Sequence, residues 1–122
     1  MGAELAIQAS NQSTFSLHHF ADTVMVKMEL TRGGKWVIMG RATMWNFDGD
    51  VQGATAKIIH DTNVVIDQVQ MWLEGGGRTC MYLQSCFVAK EREVIALECN
   101  TYKGEASFGS LIAFRVDDIQ FQ

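Results

Sequence analysis

Three oxygen-bearing side chains stand at alternate positions in one short polar segment. Asn46, Asp48 and Asp50 each offer an oxygen, and alternate loop oxygens are ligands that suit Ca²⁺. The helix–loop–helix calcium pattern would need a glycine at Val51 and a carboxylate at Lys57, so that motif fails. An Asp-Gly step is more typical of a plain turn. We therefore interpret the segment as a turn and predict no metal site.

The other residue types that metal or nucleophilic chemistry needs are present in unsuitable spacing. The histidines are His18, His19 and His60, and the first two point to opposite faces of a strand, so they cannot easily share an ion. Ser107 lacks the first glycine of a Gly-x-Ser-x-Gly elbow, because Glu105 stands there. No Cys-x-x-Cys motif occurs, and the odd number of cysteines favours reduced thiols: Cys80, Cys86 and Cys99. Cys99 shares the apolar face of Ile95 and Leu97, which indicates a small hydrophobic core residue. We predict no catalytic residue and no cofactor.

Composition indicates one globular domain over residues 1–122. The chain is 48% hydrophobic and 20% charged. Disordered proteins are less hydrophobic and more highly charged, so this composition indicates a folded protein. Its net charge of −4 and its scattered basic residues argue against a nucleic-acid partner. The sequence shows no signal peptide and no run of 18 apolar residues that would span a membrane. We expect synthesis in the cytoplasm, with the final location left open.

Alternating hydrophobicity predicts an all-β chain. Val24, Val26, Met28 and Leu30 share one face of a strand while polar residues dominate the other. The same reasoning gives about eight strands, including residues 23–30, 35–47, 54–60, 64–73, 79–89, 94–102 and 111–119. We predict a hairpin turn at residues 31–34, another turn at residues 103–106, and an N-terminal tail or subunit-exchanged arm at residues 1–12. Eight antiparallel strands favour a β-sandwich of the jelly-roll type.

Several strands are apolar on both faces. Trp36 and Ile38 face one way along the strand at residues 35–47, while Val37 and Met39 face the other. A two-layer sandwich buries only one face of each strand, so the second face needs another cover. We predict a homo-oligomer in which Val37 and Met39 lie at the interface. The alternative is a monomer whose loops or N-terminal arm cover that face.

Two segments resemble the tumour-necrosis-factor and complement-type trimeric jelly rolls. One is Gly34-Lys35-Trp36-Val37, an aromatic residue near the start of a long strand, and the other is the final apolar segment at residues 106–114. In that family a polar-aromatic-glycine step leads into the last strand at the trimer axis. The resemblance implies a compact trimer that binds partners through its outer surface or intersubunit grooves. It also implies that Phe108, Leu111 and Ala113 contribute to the oligomer interface.

Aromatic side chains beside amides and carboxylates suggest a recognition surface. Five residues near strand ends are the candidates for binding a glycan or a protein receptor: Trp45, Asn46, Asp48, Trp72 and Tyr102. Core packing is the competing interpretation for these aromatic residues. We therefore predict a non-enzymatic oligomeric module for binding or structure, and the alternative is a small all-β enzyme with an active site between subunits. An enzyme would show a deep polar pocket with a base and a nucleophile in hydrogen-bond reach.

Overall fold

The computed structural model describes residues 6–61 and 64–116, and every regular element in them is a β-strand. The strands in chain order are β1 (Ala6–His18), β2 (Thr23–Leu30), β3 (Gly34–Asn46), β4 (Gln52–His60), β5 (Val64–Leu73), β6 (Arg78–Ala89), β7 (Glu93–Thr101) and β8 (Lys103–Val116). In these two ranges no helix is long and apolar enough to cross a membrane.

The strands form two four-stranded sheets that pack face to face. The sheet we call sheet A has the order β1-β8-β3-β6, and sheet B has the order β2-β7-β4-β5. Every paired strand is antiparallel to its neighbour. The chain alternates between the sheets except at β4 and β5, which pair directly. This topology is a jelly roll, so the predicted fold class and strand number are confirmed.

The predicted hairpin at residues 31–34 is wrong, because β2 and β3 belong to different sheets. The connection instead crosses from one layer to the other, and it places both Leu30 and Trp36 fully inside the core. Gly34 has a φ of 125°, a conformation that favours glycine. Turn residues of this kind are compatible with a hairpin within one sheet and with a connection between two sheets. The connection between the sheets forms here because it buries the apolar faces of both strands.

The predicted turn at residues 103–106 is also wrong, because β8 already begins at Lys103. The chain passes from sheet B to sheet A through Tyr102 alone. Gly104 allows this close approach, since a Cβ atom there would overlap the carbonyl oxygen of Trp45 on the neighbouring strand. A residue that the sequence suggested as part of a turn is therefore a point of close strand contact.

The N-terminal tail predicted for residues 1–12 is wrong over residues 6–12, which form the first part of β1. They pair with β8 from Ala6 opposite Phe114 to Asn11 opposite Gly109. Ile7 and Ala9 pack partly against the core, but the small and polar residues around them hide this alternation in the sequence. Residues 1–5 lie outside the described residues.

One apolar face from every strand meets in the core between the sheets. Trp36 is fully buried, and its indole nitrogen donates a hydrogen bond of 3.1 Å to the carbonyl oxygen of Arg32. Cys99 is also completely enclosed, which confirms its interpretation as a small core residue. Leu111 and Ala113 lie in this core as well. Their predicted place at the oligomer interface is therefore wrong, because they occupy the inner face of β8.

We expect Gly104→Ala to destabilise the fold because the new methyl group would collide with backbone rather than with a movable side chain. The loss in the free energy of unfolding should be about 3 kcal/mol or more. Gly49→Ala is the matched control, since a Cβ atom there meets nothing within 4 Å, and it should change stability by less than about 0.5 kcal/mol. Urea denaturation measures both. Equal midpoints for the two variants would contradict the close contact.

Cys99 should make stability fall in alkaline solution. Burial raises the pKa of its thiol to about 12 from the ordinary value of 9.0, with a smaller contribution from Glu98 and Asp22. The unfolded thiol ionises first, so the contribution is complete below about pH 9 and decreases by about 1.4 kcal/mol per pH unit above it. We expect Cys99→Ala to lessen this slope and the exposed-site control Cys86→Ala to preserve it. Urea titrations across this pH range test the difference.

Candidate functional site

The outer face of sheet A carries a contiguous apolar patch at its centre. Val37 lies opposite Phe114 on β8, and Met39 lies opposite Ile112. These four residues alternate with buried residues along β3 and β8, so they point away from the core. Phe114 is 38% exposed, and the other three are partly exposed. We call these four residues the sheet A patch.

Beside the sheet A patch lies β6, the edge strand of the sheet, where Cys86 and Gln84 are opposite Val37 and Met39. Tyr82 and Val88 from β6 are exposed on the same face, and a groove of about 470 Å³ runs beside Met39, Tyr82 and Ile112. A hydrogen bond with Cys80 raises the pKa of Tyr82, while Arg41 acts in the opposite direction. The face therefore combines an apolar centre with polar groups along one side.

Phe108 lies on β8 beyond the patch, beside an irregularity in the strand pairing. Its φ is 54° and its side chain is 55% exposed. The register of β8 shifts in this region relative to both of its neighbours. Gly109 follows, and a Cβ atom there would lie 2.8 Å from Cβ of Met25. The polar-aromatic-glycine step of the sequence is thus a bulge that turns an aromatic side chain outward.

Trp45, at one end of the outer face of sheet A, is engaged by its own chain. The guanidinium carbon of Arg78 lies 4.1 Å from the centre of a Trp45 ring. Phe47 packs against the same side chain with ring centroids 4.7 Å apart, and the indole nitrogen donates a 3.2 Å hydrogen bond to the carbonyl oxygen of Gly76. These contacts hold Trp45 as part of the end of the sandwich.

Asn46 is fully buried and joins two loops. Its side-chain nitrogen donates to the carbonyl oxygens of Asp50 at 2.9 Å, Leu73 at 3.0 Å and Glu74 at 3.1 Å. Its side-chain oxygen accepts a 2.9 Å hydrogen bond from the backbone nitrogen of Asp48. The amide thus satisfies backbone groups that would otherwise be unpaired.

Asp48 is likewise used within its own loop. Its Oδ1 accepts a 2.9 Å hydrogen bond from the backbone nitrogen of Gly49, and its Oδ2 accepts a 2.7 Å hydrogen bond from Gln52. Asn46 and Asp48 are therefore loop-bracing residues here. Asp50 contributes only its carbonyl oxygen to the contacts that involve Asn46. The side-chain oxygens of Asn46 and Asp48, which alternate in the sequence, therefore accept hydrogen bonds within the turn.

Trp72 and Tyr102 belong to other parts of the molecule. Trp72 is 73% exposed on β5, opposite Gly53 in sheet B. Tyr102 lies in the connection between β7 and β8 and packs against His19 and Phe20, with ring centroids 5.4 Å and 5.9 Å away. The five predicted ligand-binding residues are thus divided between the two sheets and their connections, and they do not form one site.

Sequence reasoning missed a polar cluster at one end of sheet B. His60 ends β4, Asp61 follows it, and Glu93 begins β7. The Nδ1 atom of His60 lies 3.3 Å from an oxygen of Asp61 and 3.9 Å from an oxygen of Glu93. Glu93 is 33 positions from His60 in the sequence, so only the pairing of β4 with β7 brings them together. No spacing motif in one chain could have shown this.

The fold defines the class of proteins to which this chain is similar, namely eight-stranded jelly rolls. No protein-family model and no curated protein matches the sequence. Among solved structures, the Eiger TNF of S. frugiperda superposes with a TM-score of 0.67 at 7% identity, covering 97% of this chain and 96% of that chain. The resemblance to the tumour-necrosis-factor type is therefore confirmed for the fold.

Viral jelly rolls are also similar. The infectious bursal disease virus Gx strain structure matches with a TM-score of 0.61 at 16% identity, covering 97% of this chain and 33% of that chain. The VP2 subviral particle of the same virus gives a TM-score of 0.59 at 16% identity, covering 93% of this chain and 32% of that chain. This chain thus spans about a third of the viral chains, and the similarity concerns the fold alone.

We expect Asn46→Ala to lower the free energy of unfolding by about 3 kcal/mol, because it leaves several enclosed backbone groups without partners. Asp50→Ala is the control, since its exposed side chain lies in the same loop and only its backbone carbonyl accepts from Asn46. Urea denaturation of both variants measures the difference. A variant Asn46→Ala as stable as the wild-type protein would show that the amide does not brace the loops.

Proposed function

We propose that this protein is a non-enzymatic jelly-roll subunit that assembles with copies of itself through the sheet A patch. The observation that carries the proposal is the continuous set of outward-facing apolar side chains Val37, Met39, Ile112 and Phe114. An N-terminal arm cannot cover the sheet A patch with residues 6–12, because these residues form part of β1 in the same sheet. A second copy of the chain is then the simplest partner that could bury the sheet A patch.

The free energy of association requires burial of several apolar side chains of this face rather than of one. Fully burying one large apolar side chain contributes about 1.5–3 kcal/mol. Association itself costs at least about 4 kcal/mol in lost translational and rotational freedom. Val37, Met39 and Ile112 are already partly buried in the single chain, so each contributes only part of that amount. A stable complex therefore also needs burial of the more exposed Phe114, Tyr82 and Val88.

We favour a trimer among the closed assemblies. The support is the resemblance to the tumour-necrosis-factor type, in which the last strand lies close to the trimer axis. In this chain Ile112 and Phe114 take the outward positions on that strand, in place of Leu111 and Ala113. Phe108 would then lie at the margin of the interface, where its exposed ring faces a neighbouring subunit.

The alternative of an enzyme receives less support from the described residues. The groups whose pKa is shifted are Tyr82 on the outside of sheet A, Glu98 on the outside of sheet B and Cys99 in the core. Tyr82 lies on the other sheet, and the consecutive residues Glu98 and Cys99 face opposite sides of β7, so these three groups do not combine as a base and a nucleophile. The structural neighbours include a TNF and a viral particle, and these names favour binding or assembly for this chain.

Light scattering tests the assembly directly. We expect the wild-type protein to show about three times the chain mass of 13.6 kDa, and Ile112→Glu to dissociate it because a carboxylate cannot be buried there without a partner. Gln68→Glu introduces the same group at an exposed position of β5 in sheet B and should leave the mass unchanged. A wild-type protein of 13.6 kDa would refute the proposal.

Trp72 supports a second candidate function, recognition of a carbohydrate on the outer face of sheet B. It is 73% exposed, a larger fraction than any other large hydrophobic side chain in the described ranges. Gly53 lies opposite Trp72 and has no side chain. A Cβ atom built at Gly53 would lie 3.4 Å from Nε2 of Gln70 and 3.8 Å from a ring carbon of Trp72. An open aromatic face beside an amide is a chemically suitable platform for a sugar ring.

A glycan array tests this candidate. We expect binding by the wild-type protein and its loss in Trp72→Ala, because the variant removes the platform without disturbing the core. Met71→Ala is the control, since its side chain is also exposed on β5. An array on which wild-type and Trp72→Ala proteins give the same signals would exclude Trp72 as the platform.

A further inference from the structure

A histidine and two carboxylates converge where β4 ends and β7 begins. His60 and Ile95 are paired residues of these neighbouring strands, so the start of β7 lies beside the end of β4. Asp61 has a φ of 48°, a left-handed conformation, immediately after the strand. One ligand atom from each of His60, Asp61 and Glu93 lies within 4.8 Å of the other two. Neither carboxylate is part of the assembly face.

The cluster contains one buried polar atom that the protein alone does not satisfy. The Nδ1 atom of His60 is shielded from solvent and has no hydrogen-bond partner. Glu93 has a side chain that is only 8% exposed, and its Oε2 is directed at that same nitrogen from 3.9 Å. The other oxygen of Glu93 has a long contact of 3.5 Å with the backbone nitrogen of Lys90. A buried nitrogen normally has a hydrogen-bond partner, so the position of His60 Nδ1 beside two carboxylates points to a ligand between them.

The distances suit a small divalent ion. Zinc binds histidine nitrogen and carboxylate oxygen at about 2.0–2.2 Å, which places tetrahedral ligand atoms about 3.4 Å apart. The separation of 3.3 Å between His60 and Asp61 already matches, and the 3.9 Å separation between His60 and Glu93 needs only a small movement of one side chain. One nitrogen and two oxygens form a donor set that zinc accepts and that is poor for calcium, which takes oxygen ligands.

The surroundings allow an ion to enter and be held in place. A cavity of about 350 Å³ is lined by Asp61 and Glu93 and also by Lys27 and Glu98. The imidazole packs on Phe87, with ring centroids 4.6 Å apart, and this contact limits the orientation of His60. Three protein ligands would leave a fourth coordination position for water or a small anion, as in other zinc sites with an open position.

We propose that His60, Asp61 and Glu93 bind one zinc ion per chain at this end of sheet B. The ion bridges the end of β4 and the start of β7, so its binding also stabilises the folded state. The site is separate from the sheet A patch, and its existence does not depend on how the subunits assemble.

The experiment is a calorimetric titration of the chelator-treated 122-residue chain with ZnCl₂, under a reductant that keeps the thiols reduced. We expect one ion per chain in the wild-type protein. Losing a direct ligand should cost more than the roughly 10–100-fold that loss of an outer partner costs. Asp61→Asn and Glu93→Gln should therefore each weaken binding by at least about 100-fold. Asn also tolerates the left-handed backbone of residue 61.

Glu98→Gln is the matched control, because Glu98 lines the same cavity but is not in the ligand cluster. It should bind zinc as the wild-type protein does. Circular dichroism without zinc establishes that each variant is folded, and Asp61→Asn remains informative if Glu93→Gln is not, since the Asp61 side chain is 60% exposed. Cobalt absorption spectroscopy of the wild-type protein should show a site without sulfur ligands.

Three results would overturn the proposal. The first is a wild-type protein that takes up no zinc. The second is equal binding in wild-type, Asp61→Asn and Glu98→Gln proteins, which would place the ion at exposed histidines such as His18 or His19. The third is a sulfur-to-cobalt charge-transfer band, which would place it at a cysteine.

Discussion

Burial of one apolar face from each of eight strands is the constraint on which the rest of this structure depends. A single sheet would leave those faces in water, so the strands divide into two layers that cover each other. The chain meets this constraint by crossing between layers after almost every strand, with β4 and β5 as the exception. Trp36 is the largest side chain completely enclosed between the layers. Each short connection is consequently a passage across an end of the sandwich.

The ends of the sandwich need polar side chains that stay inside. Asn46 illustrates this need, because the loops after β3 and β5 leave carbonyl oxygens that its amide satisfies. Gly104 meets a different requirement, since two strands approach each other too closely there for any side chain. Residues that look suited to ligand binding or to turns in the sequence therefore have structural roles. The polar cluster at His60 and Glu93 differs from them, because the buried Nδ1 atom of His60 has no hydrogen-bond partner.

The two outer faces of the sandwich differ in character. Sheet A carries a patch built from Val37, Met39 and their partners on β8, and we have proposed that another copy covers it. Sheet B carries Lys57, which lies 3.1 Å from Asp22 in the connection before β2, together with the exposed Val94 and Trp72. A division of this kind suits a protein that uses one face for assembly and keeps the other open. The apolar patch on sheet A and the charged and apolar side chains outside sheet B come from the same alternation of side chains along the strands.

The strand periods, the all-β class and the two-faced character of β3 followed from the sequence by itself, because alternation along a strand is a local property. Cys99 was likewise recognisable as a core residue from its neighbours. Which face of β8 turns inward was decided only by its register with β1 and β3, so Leu111 and Ala113 were assigned to the wrong surface. The meeting of His60 with Glu93 also needed the tertiary structure, since pairing between β4 and β7 joins residues that no local pattern relates.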